Sequence, residues 1–251
     1  EFNLMATEIH KSYIQLKKNN VELNQLNEFR SNLIDTVSHE LRTPLTSIQG
    51  YTSRLMRQDI VIDEETKQKS LRIIKEQSER LKRLIEDLLT IPDIEGMRLR
   101  TNVEQVWIPE VLAEAQVLIR NKEQKEFEIN VSEDFPLVLA DKDRLLQVFV
   151  NLLENGAKYA TEGTKIVVEA IIEDDKARIF FKNDCEVIPQ AKLKKLFEKF
   201  TRLDDNTTRT TRGTGLGLFI VKGLIEAMNG EIKLHSDKNC GFCAEVILRL
   251  A

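Results

Sequence analysis

Three short runs of residues in this 251-residue chain have the types and spacing to do chemistry. The first is Ser38-His39-Glu40-Leu41-Arg42-Thr43-Pro44-Leu45. An imidazole can be neutral at cellular pH, the state a nucleophile needs to attack a γ-phosphate, so His39 is a candidate acceptor. A single histidine on a helix is more often packing or surface decoration, so His39 gains its weight from the other two runs. In Asn151-Leu152-Leu153-Glu154-Asn155-Gly156-Ala157-Lys158-Tyr159 the two asparagines stand one helical turn apart and point the same way. Amide oxygens are hard, neutral ligands suited to Mg2+, which keeps much of its water and bridges phosphates. Lys158 can neutralise phosphate charge, and Tyr159 can flank a flat base. The third run is Gly213-Thr214-Gly215-Leu216-Gly217-Leu218, entering a helix. Glycines let backbone amides approach phosphates closely, and a helix N-terminus favours anions. Arg209 and Arg212, just before it, are phosphate contacts or solvated charges. Arg42 is open to the same two readings.

These runs need elements to hold them. Ile9, Leu16, Leu23, Arg30 and Val37 recur every seven residues, with Leu26 and Leu33 at the second apolar position. The pattern predicts one helix over 5–57, a rod of roughly 75–80 Å that cannot bury its stripe against itself. Val37 and Leu41 lie on the stripe, so His39 projects away from it. Residues 58–64 read as a turn, and a second helix is expected over 65–90, ended by Ile91-Pro92. Two such helices make an antiparallel hairpin, and two hairpins close a four-helix bundle, so a homodimer is expected.

After Gly96, short strand patterns alternate with amphipathic helices. Strands are expected at 103–108, 127–131, 137–140, 165–173, 176–182, 230–236 and 243–250. Helices are expected at 109–122, from an Asp141 cap to 157, at 189–200 and at 215–228. Residues 203–212 are polar and without period, which predicts a mobile loop. This interspersed order gives an α/β sandwich.

Composition narrows the function classes. A net charge of −4 carries no nucleic-acid or membrane-surface signal. No apolar run reaches the length that spans a bilayer, and no signal peptide is visible. Glu1-Phe2 reads as a cloning remnant. Three cysteines make no disulfide framework and fit a reducing cytoplasm. Cys240-Gly241-Phe242-Cys243 is a lone C-x-x-C, read as small residues near a late hairpin.

Taken together and in this order, the three runs resemble the sensor histidine kinases of two-component signalling. The resemblance covers nearly the whole chain. It implies a signalling coiled coil over 1–24 and a dimerisation and histidine phosphotransfer domain over 25–93. A catalytic ATP-binding α/β sandwich of the GHKL (Bergerat) type then follows over 98–251. It further implies that ATP phosphorylates His39, that Glu40 is the general base on the ring, and that Thr43 orients a water for dephosphorylation. Asn155 becomes the Mg2+ ligand, supported by Asn151. The nucleotide site comprises Asn151, Asn155, Lys158, Tyr159, Asn183, Arg212, Gly213, Thr214, Gly215, Leu216, Gly217 and Leu218. The implied partners are a second copy, the receiver domain of a response regulator and an upstream sensor domain. No nucleic acid and no direct membrane contact are expected. The implied location is cytoplasmic, with room for a membrane anchor elsewhere on the natural chain.

One segment departs from the family pattern. Where the family usually has Asp-x-Gly-x-Gly-Ile-Pro, this chain has Asn183-Asp184-Cys185-Glu186-Val187-Ile188-Pro189. The family aspartate accepts from the adenine amino group, and a neutral amide accepts more weakly, by about 1 kcal/mol or more. β-branched Val187 resists a positive φ where the family has glycine. Three readings follow: adequate but weaker ATP binding, a pseudokinase scaffold that docks a regulator or another kinase, or a pocket repacked around Cys185. A GHKL ATPase of another kind, such as a chaperone or repair protein, is the remaining rival, and the Ser38–Leu45 octet speaks against it.

Overall fold

The seven-residue apolar repeat folds as one unbroken helix. A computed structural model describes residues 2–57, 59, 62–120, 125–201, 214–238 and 240–251, and α1 runs over Phe2–Leu55. Pro44 sits inside it, buried, and leaves the carbonyl of Glu40 without its helical donor. α2 covers Glu64–Glu95 and starts at Asp63, whose carboxylate accepts from the Thr66 amide and hydroxyl, each at 2.7 Å. These bonds hold the Asp63 carboxyl below its ordinary pKa, the amide bond first. The expected 58–64 turn falls partly outside the described residues.

The chain divides into two compact units, Glu1–Leu81 and Lys82–Ala251. In the first, α1 and the start of α2 are tied by Arg80 Nη2 and Glu40 Oε2 at 2.9 Å. Its apolar stripe stays open: Leu16, Leu23 and Ile34 are 68, 58 and 57 % exposed, and Leu45 and Leu71 are also exposed.

The second unit begins with the end of α2, where the sequence expectation needs correction. Ile91-Pro92 does not stop the helix, which continues to Glu95. A helix-interior proline costs about 3 kcal/mol, while burying an isoleucine contributes about 1.5–3 kcal/mol. Ile91 is buried, and Ile94 lies so close to Gly223 that a Cβ there would meet it at 2.6 Å. The two contacts together outweigh the proline. The helix ends instead in a Schellman motif, with Met97 at φ 49°, the Arg98 amide on the Asp93 carbonyl at 2.8 Å and the Met97 amide on the Ile94 carbonyl at 3.1 Å.

β1 (Glu104–Val106) pairs antiparallel with β3 (Val138–Ala140), and α3 (Ile108–Arg120) lies between them in sequence. The last residues of the helix expected over 109–122 lie outside the described residues. β2 (Phe127–Asn130), β4 (Ile166–Glu173), β5 (Lys176–Asn183), β6 (Glu231–Asp237) and β7 (Gly241–Arg249) form one sheet in the order β2-β4-β5-β7-β6. Among the described pairs of this sheet, only β2–β4 is parallel. Asp174 and Asp175, both at positive φ, make the two-residue turn between β4 and β5.

One face of the sheet carries the core. Ile166, Val168, Ile179, Phe181, Ala244 and Val246 alternate inward and join Leu145, Phe149 and Leu153 of α4 (Lys142–Tyr159) with Ile220 and Leu224 of α6 (Gly217–Ala227) in one buried cluster. The Phe149 and Phe181 rings sit 5.2 Å apart. The expected 189–200 helix resolves into a short α5 (Gln190–Leu193) and a 3-10 turn, Lys194–Phe197. Leu193 and Leu196 are both buried, and their i, i+3 spacing suits the tighter 3-10 winding.

Candidate functional site

His39 stands exposed on α1. The side chains around it are committed locally. Thr43 Oγ1 donates to the carbonyl of His39 at 3.2 Å, the back-bonding expected of a threonine within a helix. Glu40 is only 8 % exposed, and its Oε2 accepts from Arg80, which leaves Oε1 outside the ion pair. Arg80 carries no local signal in the sequence, because it lies forty residues from its partner. Arg42 is exposed.

The second site is built on α4. Asp141 caps this helix, its Oδ1 accepting from the Arg144 amide at 3.1 Å. The cap sets the register that places Asn151 and Asn155 on one face. Asn151 Nδ2 donates to the Gln147 carbonyl at 3.1 Å, which fixes the amide and leaves Oδ1 for other partners. A Cβ on Gly217, the first residue of α6, would lie 3.4 Å from Asn151 Oδ1 and 3.6 Å from Asn155 Nδ2. The start of α6 therefore meets both asparagines. Leu216 at the N-cap position provides no side-chain cap, and among the described residues no side chain occupies the first amides of α6, which suits an anion. Thr214 Oγ1 accepts from the Leu216 amide at 3.3 Å, Leu216 is buried in the core, and Leu218 packs against it.

Gly215 has φ +70°, and a Cβ there would strike the backbone of Phe200 at 2.7 Å. The Phe200 amide donates to the Gly215 carbonyl at 3.0 Å. Phe200 itself is at φ 62°. Arg209, Arg212 and Gly213, and the loop expected over 203–212, lie outside the described residues. Lys158 bonds the Tyr159 hydroxyl at 2.9 Å and lies over its ring, so this pair is folded together at the end of α4.

Asn183 ends β5 on the core side of the sheet and is 5 % exposed. A Cβ on Gly156 of α4 would come within 3.9 Å of its Cβ. Its Nδ2 is buried without a hydrogen-bond partner, a condition that costs about 1–3 kcal/mol. Neither Cys185 nor Val187 has a positive φ. The tight backbone approach comes from across the sheet, where Gly241 has φ +61° and a Cβ would meet the Cys185 amide nitrogen at 2.5 Å. There the β5–β7 register slips, so that Gly241 and Phe242 together oppose Asn183, a bulge. The glycine that permits this approach stands on the neighbouring strand, inside the C-x-x-C. Burial raises the Cys185 and Cys240 thiols and pushes Cys243 to about 12, so the free cysteines are held as thiols. Among the described residues no group of His, Cys, Asp and Glu could hold a metal ion.

The end of α2 flanks this face. Arg83 pairs with Glu154 at 2.5 Å, and Gln147 lies near enough to Asp87 to favour its ionised form, so the two residues engaged by α2 bracket Asn151 on α4. Burial raises Asp87 to about 6, assisted by Glu154 and Glu86 and opposed by Arg83 and Gln147.

Comparison with known proteins decides which chemistry these two sites belong to. Residues 29–96 match the His Kinase A (phospho-acceptor) domain, and 140–251 match the family of histidine kinase-, DNA gyrase B- and HSP90-like ATPases. The chain belongs to the sensor histidine kinases. Sensor protein SrrB of Staphylococcus aureus is 31 % identical over 219 residues, spanning 86 % of this chain. The chain spans 37 % of that curated relative's length. Among solved structures, the Acinetobacter baumannii histidine kinase AdeS aligns at a TM-score of 0.61 and 24 % identity over 84 % of this chain and 98 % of its own. The mycobacterial sensor histidine kinase MprB aligns at 0.52 and 25 % over 60 % and 100 %. The helical phospho-acceptor region followed by an α/β ATPase domain of GHKL fold is thus the architecture of this kinase family, and its ATPase domain is of the ATP-binding type. No helix among the described residues is long and apolar enough to cross a membrane.

Proposed function

We propose that the chain uses ATP held in its α/β domain to phosphorylate His39 and then passes the phosphoryl group to an aspartate on a response regulator. The observation that carries this reading is the pairing of an exposed histidine in a phospho-acceptor domain with two asparagines that converge on an uncapped helix start in an ATPase domain. In the first step a ring nitrogen of His39 attacks the γ-phosphorus as the bond to the β-phosphate oxygen breaks, giving ADP and phospho-His39. Glu40 takes the proton from the other ring nitrogen through Oε1, while Arg80 holds Oε2. The amides opening α6 and the Gly215–Gly217 backbone bind the phosphates, and Lys158 offsets their charge. The side chains fit Mg2+ in type, because both are neutral amides: Asn155 would hold the ion through Oδ1, after a turn of the amide that now presents Nδ2 toward α6, and Asn151 would support it. When bound, Mg2+ neutralises charge that develops on the transferring phosphoryl group. Thr43, one turn from His39, would orient a water for a phosphatase reaction on the regulator, with Oγ1 accepting while its proton stays on the His39 carbonyl.

Labelled γ-phosphate tests the assignment. Wild-type chain is expected to take up acid-labile, base-stable label, as an N-linked phosphate does. His39→Gln should lose it while still binding nucleotide, and Asn155→Ala should lose both by roughly 100-fold or more. Label retained on His39→Gln would refute the acceptor assignment.

A further inference from the structure

The two ends of the nucleotide pocket differ in chemistry. At one end stand the start of α6 and the Asn151 and Asn155 amides, a setting for phosphates. At the other end stands Asn183, under Gly156 of α4 and opposite the Gly241 bulge, beside Ile166. That end offers an uncharged floor, the setting for a flat base. Its one buried polar side chain is an amide whose Nδ2 has no acceptor. The Cys185 thiol is near enough for the amide to favour its ionised form, but it lies outside hydrogen-bonding geometry. Asp184 and Glu186 are exposed, so no carboxylate side chain takes the place of the amide at the floor.

We propose, resting on the nucleotide-site reading above, that Asn183 reads the group at C6 of a bound purine as a neutral amide and admits 6-oxopurine triphosphates alongside ATP. A carboxylate at this position can only accept. It pairs with the 6-amino group of adenine and repels a 6-oxo group, whose oxygen would face it with no proton between them. An amide does both. With Oδ1 forward it accepts from the 6-amino group, and with Nδ2 forward it donates to the 6-oxo group. A half-turn about Cβ–Cγ exchanges the two, and no fixed hydrogen bond to Nδ2 opposes the exchange. In the orientation shown Nδ2 is buried, so the half-turn is what brings it forward to donate to a 6-oxopurine. Asn183 determines specificity here, while phosphate and Mg2+ contacts stay common to both nucleotides.

Inosine triphosphate isolates this contact, because it differs from ATP only at C6 and the adjoining ring nitrogen. The experiment is calorimetric titration of the whole chain with Mg-ATP and Mg-ITP, on wild type and Asn183→Asp. Wild type is expected to bind the two within about tenfold of each other. Asn183→Asp should shift the ratio toward ATP by about 10- to 100-fold, the scale of a charge-assisted hydrogen bond gained on one ligand and lost on the other. The wild-type ratio alone is decisive if the buried aspartate fails to fold. Wild type that binds ATP yet rejects ITP by more than about 100-fold overturns this inference and leaves the ATP-site reading standing. A folded Asn183→Asp with an unchanged ratio overturns it as well. Wild type that binds neither nucleotide overturns both the inference and the site reading beneath it.

Discussion

Glu40 is nearly buried on α1, and its charge is balanced by Arg80. An ion pair this far out of water contributes less than its Coulomb energy suggests, but removing one partner strands the other. Arg80→Ala should lower the urea-melt stability of the helical unit by about 1–3 kcal/mol, and Arg80→Lys should recover part of it. An Arg80→Ala melt that superimposes on wild type would show that solvent already carries the Glu40 charge. The same reasoning applies to Gly241, where space and torsion both exclude a side chain. A Cβ at φ +61° pressing on the Cys185 amide has no flexible atom to displace, since the contacts are backbone. Gly241→Ala should destabilise the α/β unit by about 1–3 kcal/mol and weaken nucleotide binding with it, because the bulge beneath Asn183 must shift. Unchanged binding and an unchanged melt would place the strain elsewhere.

Among the elements, the end of α2 behaves least as its sequence suggests. Local chemistry argues for a stop at Pro92. The helix goes on because Ile94 finds Gly223 more than a hundred residues away, a contact no local pattern encodes. The Asp141 cap, the Asn151–Asn155 face and the Asp174-Asp175 turn were legible because each rests on neighbours in sequence. Arg80 opposite Glu40, and Gly241 against the Cys185 amide, were not, because each acts across the fold. Asp87 turns this hidden packing into a pH effect. Its carboxyl titrates near 6 when folded, against about 3.8 when free, so the folded state holds the extra proton. Between about pH 4 and pH 6 stability therefore falls as pH rises, and above pH 6 the whole penalty is present. Asp87→Asn should flatten that slope and stabilise the α/β unit at pH 7.5 by about 1–2 kcal/mol, less than the full shift implies because water partly screens the site. Urea melts at about pH 4 and pH 6.5, which bracket the window, measure the slope. An Asp87→Asn slope equal to that of wild type would assign the pH dependence to another group.

At the scale of the whole molecule, the unfinished business lies on the first unit. Leu16, Leu23, Ile34, Leu45 and Leu71 are exposed in a single chain, and the heptad spacing of Leu16 and Leu23 puts them on a coiled-coil seam. Burying these side chains against a second copy is favourable in proportion to the apolar area removed from water. Leu45→Glu with Leu71→Glu replaces four apolar side chains per dimer with charges that the seam would have to bury, which opposes association. Sedimentation velocity at micromolar concentration should show wild type as a dimer and this double variant as a monomer. The α/β unit should keep its melting transition, because neither substitution touches it. A monomeric wild type would mean that the exposed stripe is covered by some other partner.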